Sequence, residues 1–221
     1  SGTFPSELPG LLLDAGLYEE CISAADQVLT KHPNDTSALL AKSSALSKTG
    51  SYQKAANQVR LLTILEPESL SLQRKLAEYL ENSDEWDEAL NIRSTILTRI
   101  QEQNQEKSPL GNHLPAADLL DFSACAYRGK HYQRSASAAR QLLNNSPQNG
   151  LAHAALGKAL AAQENQPEAL QHLEKGIQLG PEEEESWLAM AEHQNRIGDS
   201  AAAVKTLLRG SNSARTQAKI Y

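Results

Sequence analysis

The sequence predicts an all-α fold of stacked antiparallel helix pairs, and three observations predict it. Ala and Leu dominate a hydrophobic content of 40%, while aromatics reach only 5%; strands favour β-branched and aromatic residues, so this balance points to helices. Prolines recur 34 residues apart, from Pro33 to Pro67 and from Pro147 to Pro181. A small residue recurs in the same register at Cys21, Ala55, Ala89, Ser135, Ala169 and Ala203. The register holds because Pro67 and Pro147 lie 80 apart, which is two periods plus an insertion of 12. A repeat of this length is one supersecondary unit that cannot bury its own apolar face, so neighbours must stack.

The register divides the chain into hairpins at 2–35, 36–69 and 70–103, an insertion at 104–115, hairpins at 116–149, 150–183 and 184–217, and a tail at 218–221. The first hairpin has a short first helix, interrupted by Pro9-Gly10, and Gly16 closes it; Gly50 and Gly198 close their own first helices. Second helices are expected from Tyr18, Tyr52, Trp86, Tyr132, Gln166 and Ser200. Proline ends a second helix because it disfavours helical geometry in the residue before it. In the third hairpin nothing stops the second helix, and Ile96, Leu97 and Ile100 run on into the helix formers of 101–107. The break comes at Ser108 to Pro115, rich in turn residues. This insertion is either a spacer or an added contact surface. After Gly210 no solvating helix is expected.

These residues resemble the tetratricopeptide pattern W-x2-L-G-x2-Y, A-x3-F, P over about 34 residues. The fifth hairpin reads His153, Leu156, Gly157 and Leu160, then Ala169, Leu173 and Pro181. The sixth reads Trp187, Met190 and Ala191, then Ala203 and Leu207, and the second reads Leu39, Leu46, Gly50, Tyr52, Ala55, Val59 and Pro67. The third departs from it with Gln73 where an aromatic is usual. The resemblance implies a right-handed superhelical solenoid that binds a peptide or helix of a partner protein along its concave face. It also implies that Gly157 faces Ala169 at a helix crossing, where Leu would overpack and Ala is expected to be tolerated.

Chemistry finds little foothold. A formal net charge of −6 argues against nucleic acid gripped through a phosphate-neutralising surface. No stretch approaches the roughly 18 apolar residues of a membrane span. Neither a phosphate-cradling nor a dinucleotide motif occurs, nor a nucleophile elbow, so no enzyme activity and no cofactor is expected. His32, His113, His131, His153, His172 and His193 include no pair at i, i+3 or i+4, and each reads as a surface or turn residue. Cys21 and Cys125 sit in apolar helical patterns as small buried hydrophobes. Glu182 to Glu185 follow Pro181 at a helix start, where carboxylates meet the positive end of the helix dipole. The N-terminus names no compartment, and the cytoplasm is the favoured location.

In the resembled family the concave face is lined by set positions of the first helices. The chaperone-tail clamp of one subgroup is absent, since Ser6 and Gly10 occupy its positions. The fourth and fifth hairpins offer instead a trough of alanines and leucines, which admits a helix or extended peptide close to the backbone. The expected partner-binding residues are Leu120, Ala124, Tyr127, Arg128, Leu151, Ala154, Ala155 and Lys158, with Leu188 and Arg196 from the sixth hairpin. An idle alanine-rich face is the alternative. Two other readings of function stay open: a substrate-presenting arm of a multidomain glycosyl- or sulfotransferase, and self-association through exposed array ends.

Overall fold

A computed structural model describes residues 7–107 and 114–217. Ser6, most of the Ser108–Pro115 break and the 218–221 tail lie outside the described residues. Among those described there are twelve α-helices and no strand. They pair in chain order as α1 (Leu8–Asp14) with α2 (Tyr18–Lys31), α3 (Thr36–Lys48) with α4 (Tyr52–Leu65), and α5 (Leu70–Asn82) with α6 (Trp86–Lys107). There follow α7 (Ala116–Arg128) with α8 (Tyr132–Asn145), α9 (Gly150–Ala162) with α10 (Gln166–Leu179), and α11 (Glu184–Arg196) with α12 (Ser200–Gln217). The chain forms two compact units, 1–96 and 97–221, with the division inside α6.

Each hairpin turns through one left-handed residue at the same register position. These are Gly16, Gly50, Asp84, Lys130, Glu164 and Gly198, with φ between 62° and 88°. The amide that follows each one bonds back to the carbonyl five residues earlier, as in Ser51 N to Leu46 O at 2.8 Å and His131 N to Ala126 O at 2.7 Å. This is the Schellman closure of a helix end, and it satisfies carbonyls the helix would otherwise leave unpaired. Only half of these positions are glycine, so glycine reveals only half of the turns.

The N-terminal unit packs around its small residues. Cys21 is fully buried with Ala41 and Ala45, and Leu12, Leu13, Tyr18 and Ile22 close over them. Its thiol donates to the Pro9 carbonyl oxygen at 3.1 Å, and burial pushes the thiol pKa up. Pro9 does not interrupt α1 as the sequence implied. It lies in the first turn, where its missing N–H costs no helical bond. Arg60 holds Glu88 through two hydrogen bonds of 3.1 and 2.7 Å, tying α4 to α6.

In the C-terminal unit α9 and α10 approach so closely that glycine is required. A Cβ at Gly157 would lie 2.6 Å from Leu173 Cγ and 3.0 Å from the Ala169 carbonyl oxygen. The expected tolerance of Gly157→Ala is therefore overturned, because even a methyl group overpacks this crossing. Gly210 is similarly close to Trp187, at 2.6 Å from Cγ. α12 does not stop there; it continues to Gln217, so a helix does follow Gly210.

Two of the histidines and Gln73 also differ from expectation. Trp187 Nε1 donates to the Pro181 carbonyl at 2.8 Å, across six residues. At the same register position Gln73 Nε2 donates to Pro67 O at 2.9 Å, and His153 Nε2 lies 3.1 Å from Pro147 O. Each side chain pins the start of its first helix to the turn before it. Gln73 is thus a functional substitute for the aromatic rather than a lapse in the pattern. His153 and His193 are buried at 4% and 5% exposure and are not surface residues.

Candidate functional site

The first helices of the C-terminal unit, α7, α9 and α11, line a cleft of about 390 Å³. α7 contributes Leu120, Asp121, Ala124, Tyr127 and Arg128, a spacing that sets them along one helical face. From α9 come Leu151, Ala155 and Lys158, and from the start of α11 come Glu183 and Glu185. Small side chains leave the floor open: Ala124 is exposed and Ala155 half-buried. Beneath them the buried Ser123 and Ser135 bond to each other, with hydroxyl oxygens 2.9 Å apart.

Lys158 organises the rim. Its Nζ lies 2.9 Å from Glu185 Oε1, 3.4 Å from Glu192 Oε2, and 5.0 Å from the centre of the Tyr127 ring. Burial by itself lowers the Lys158 pKa, but the hydrogen bond it donates to Glu185 and the charges of Glu185 and Glu192 outweigh it, and the ammonium is held above its ordinary value. Tyr127 also packs against Tyr132, with ring centres 5.5 Å apart. Arg196 Nη2 donates to the Tyr127 hydroxyl at 2.9 Å, linking the end of α11 to the end of α7.

Seven of the ten residues expected from sequence lie around this cleft: Leu120, Ala124, Tyr127, Arg128, Leu151, Ala155 and Lys158. Arg196 reaches its edge only through the Tyr127 hydroxyl. Leu188 is exposed at 37% on α11 but does not line the cleft. Ala154 requires correction. It is fully buried with Leu173, Ala189 and Met190, because Gly176 lets the α10 backbone close over it, where an added Cβ would sit 3.1 Å from Ala154 N. Ser123, Ser135 and Glu183 were not foreseen. Asp121 and Glu185 also line the cleft, from positions on the same helical faces.

The described residues include no group of three or more His, Cys, Asp or Glu side chains placed to hold a metal ion. No described helix is long and apolar enough to cross a membrane.

No curated protein sequence matches the chain. Solved structures do. One is a fragment, MamA 41-end from Desulfovibrio magneticus RS-1, at TM-score 0.55 and 17% identity, over 79% of this chain and 92% of that one. A second, MamA AMB-1, aligns at TM-score 0.59 and 16% identity over 79% and 96%. A third, YrrB, described as a TPR protein with an unusual peptide-binding site, aligns at 0.62 and 17% over 80% and 86%. At these identities the likeness establishes the fold alone. The family model for the tetratricopeptide repeat matches residues 11–62 and 126–184, just over half of the sequence. The chain belongs to the tetratricopeptide repeat family.

Proposed function

We propose that this protein is a non-catalytic interaction scaffold that seats a peptide segment of a partner protein in the cleft of α7, α9 and α11. The observation that carries the reading is the cleft itself: an apolar floor of Leu120, Ala124, Leu151 and Ala155 bordered by a few convergent polar groups. Such a floor lets a peptide approach the helix backbone, and the rim supplies orientation. The description of YrrB as peptide-binding is in keeping with this use of the fold. The test is a quantitative pull-down with wild type and Ala124→Trp, after circular dichroism shows equal helicity. Trp fills the cleft without adding charge, so partners seated there are lost. Recovery of the same partners at the same level excludes the cleft.

A second reading, self-association, has one observation in its favour. Ala25, Val59, Arg93, Ala139 and Leu173 share a register position and are all buried, whereas their counterpart Leu207 is 42% exposed. Val204 and Leu208 beside it are exposed at 58% and 62%. Light scattering across a concentration series tests this, and a mass that stays monomeric throughout excludes it.

A further inference from the structure

The charges around the cleft point to the chemistry of its occupant. Lys158 is shared between two carboxylates and covered by the Tyr127 ring, so its positive charge is more than balanced and the group as a whole is negative. Glu185 lies at the cleft wall with more than half of its side chain exposed. Glu183, at the N-cap of α11, makes no side-chain capping bond. Around the cleft, Asp121, Glu183, Glu185 and Glu192 outnumber Arg128, Lys158 and Arg196. Opposite charge across an interface steers encounter and fixes register, and like charge rejects wrong partners.

We infer that the occupant is a cationic segment: small apolar side chains rest on Ala124, Ala155 and Leu151, and Lys or Arg side chains reach Glu183 and Glu185. This rests on the cleft being the binding site. A segment ending in a free carboxylate, or rich in Asp and Glu, is disfavoured by the same rim. Lys158 then acts as a positioning residue, holding Glu185 at the cleft wall.

The probes are three fluorescent, end-capped peptides of one Ala/Leu scaffold, about 14 residues or four helical turns long, identical except that Lys, Gln or Glu fills the same set of positions. Fluorescence anisotropy is read at low and moderate salt with wild type, Ala124→Trp, Glu183→Lys/Glu185→Lys and the control Glu164→Lys/Glu174→Lys. The control makes the same charge change away from the cleft, and Lys130 already occupies the turn position equivalent to Glu164. The Lys peptide is expected to bind at least about tenfold more tightly than the Glu peptide, a difference of 1.4 kcal/mol. It should weaken with salt, weaken about tenfold in the cleft charge reversal, and change little in the control. Equal or tighter binding of the Glu peptide overturns the inference, as does undetectable binding of the Lys peptide or equal weakening by the control. Binding that prefers Lys but ignores Ala124→Trp instead removes the cleft as the site.

Discussion

His153 and His172 place their Nδ1 atoms 2.8 Å apart, with the rings stacked at 5.0 Å between centres. With His153 Nε2 facing the Pro147 carbonyl oxygen, its Nδ1 is the acceptor and His172 Nδ1 the donor. The gap between the two Nδ1 atoms holds a single proton, so His153 is neutral in this arrangement. Burial is the largest cause lowering the pKa of each. For His153 the Pro147 hydrogen bond opposes this and Lys175 adds to it, and for His172 Glu168 opposes while Arg140 and Lys175 add. His193 is lowered in the same way by burial and by Arg196.

The unfolded chain thus binds more protons than the folded one below the ordinary histidine pKa of about 6.5. Stability is then complete above that pH and is lost as pH falls through it. Thermal unfolding followed from pH 8 to pH 5, a range bracketing that value, should show a midpoint that drops on the acid side. Each kcal/mol lost is about 2–4 °C for a chain of this length. His153→Gln, which copies Gln73, should flatten the profile while keeping a donor for the Pro147 carbonyl. A midpoint indifferent to pH contradicts the lowering of these histidine pKa values by burial.

Gly157→Ala should destabilise by about 1–3 kcal/mol, as overpacked cores do, because its methyl meets Leu173 and the Ala169 carbonyl. Gly10→Ala is the matched control: a Cβ there meets nothing within 4 Å, and helix propensity should favour Ala by about 1 kcal/mol. Urea midpoints of the two variants should move in opposite directions.

Lys130 and Glu164 hold left-handed backbone at φ 65°, a conformation costing a side-chain-bearing residue roughly 1–2 kcal/mol. Lys130→Gly and Glu164→Gly should each raise stability by a fraction of that, since glycine loses more freedom on folding. Gly50→Ala, at φ 75° with open space around it, should lower stability through the backbone alone. Chemical denaturation distinguishes the signs.

Trp187→Phe keeps the ring and removes the donor to Pro181 O. The expected loss is roughly 0.5–1.5 kcal/mol, the net worth of one hydrogen bond, read from the shift in urea midpoint.

The repeat was legible because its strongest signals are local. Proline positions, the small residues from Cys21 to Ala203 and the glycines of three turns mark helix ends and crossings wherever they occur. What stayed hidden depends on partners that pattern does not name. The shared role of Gln73, His153 and Trp187 appears only when their common acceptor, the carbonyl of a proline six residues upstream, is seen. Ala154 was expected in the trough because Leu120 and Leu188 hold the same register. Its burial follows from Gly176 on a different helix. The acidic rim was read as helix-dipole compensation, which Glu184 and Glu185 in the first turn of α11 do provide. That reading does not reveal that Glu185 also holds Lys158 across the cleft.

Site-specific photocrosslinking reads the occupancy of the cleft at a single side chain. A benzophenone side chain is placed at Leu151 on the cleft wall and, separately, at the exposed Glu174 on α10, in a protein whose helicity matches wild type. A discrete partner should be captured from position 151 and not from position 174, and adding Ala124→Trp should abolish the capture. Equal capture from both positions, or capture from position 151 that survives Ala124→Trp, contradicts the cleft as the binding site.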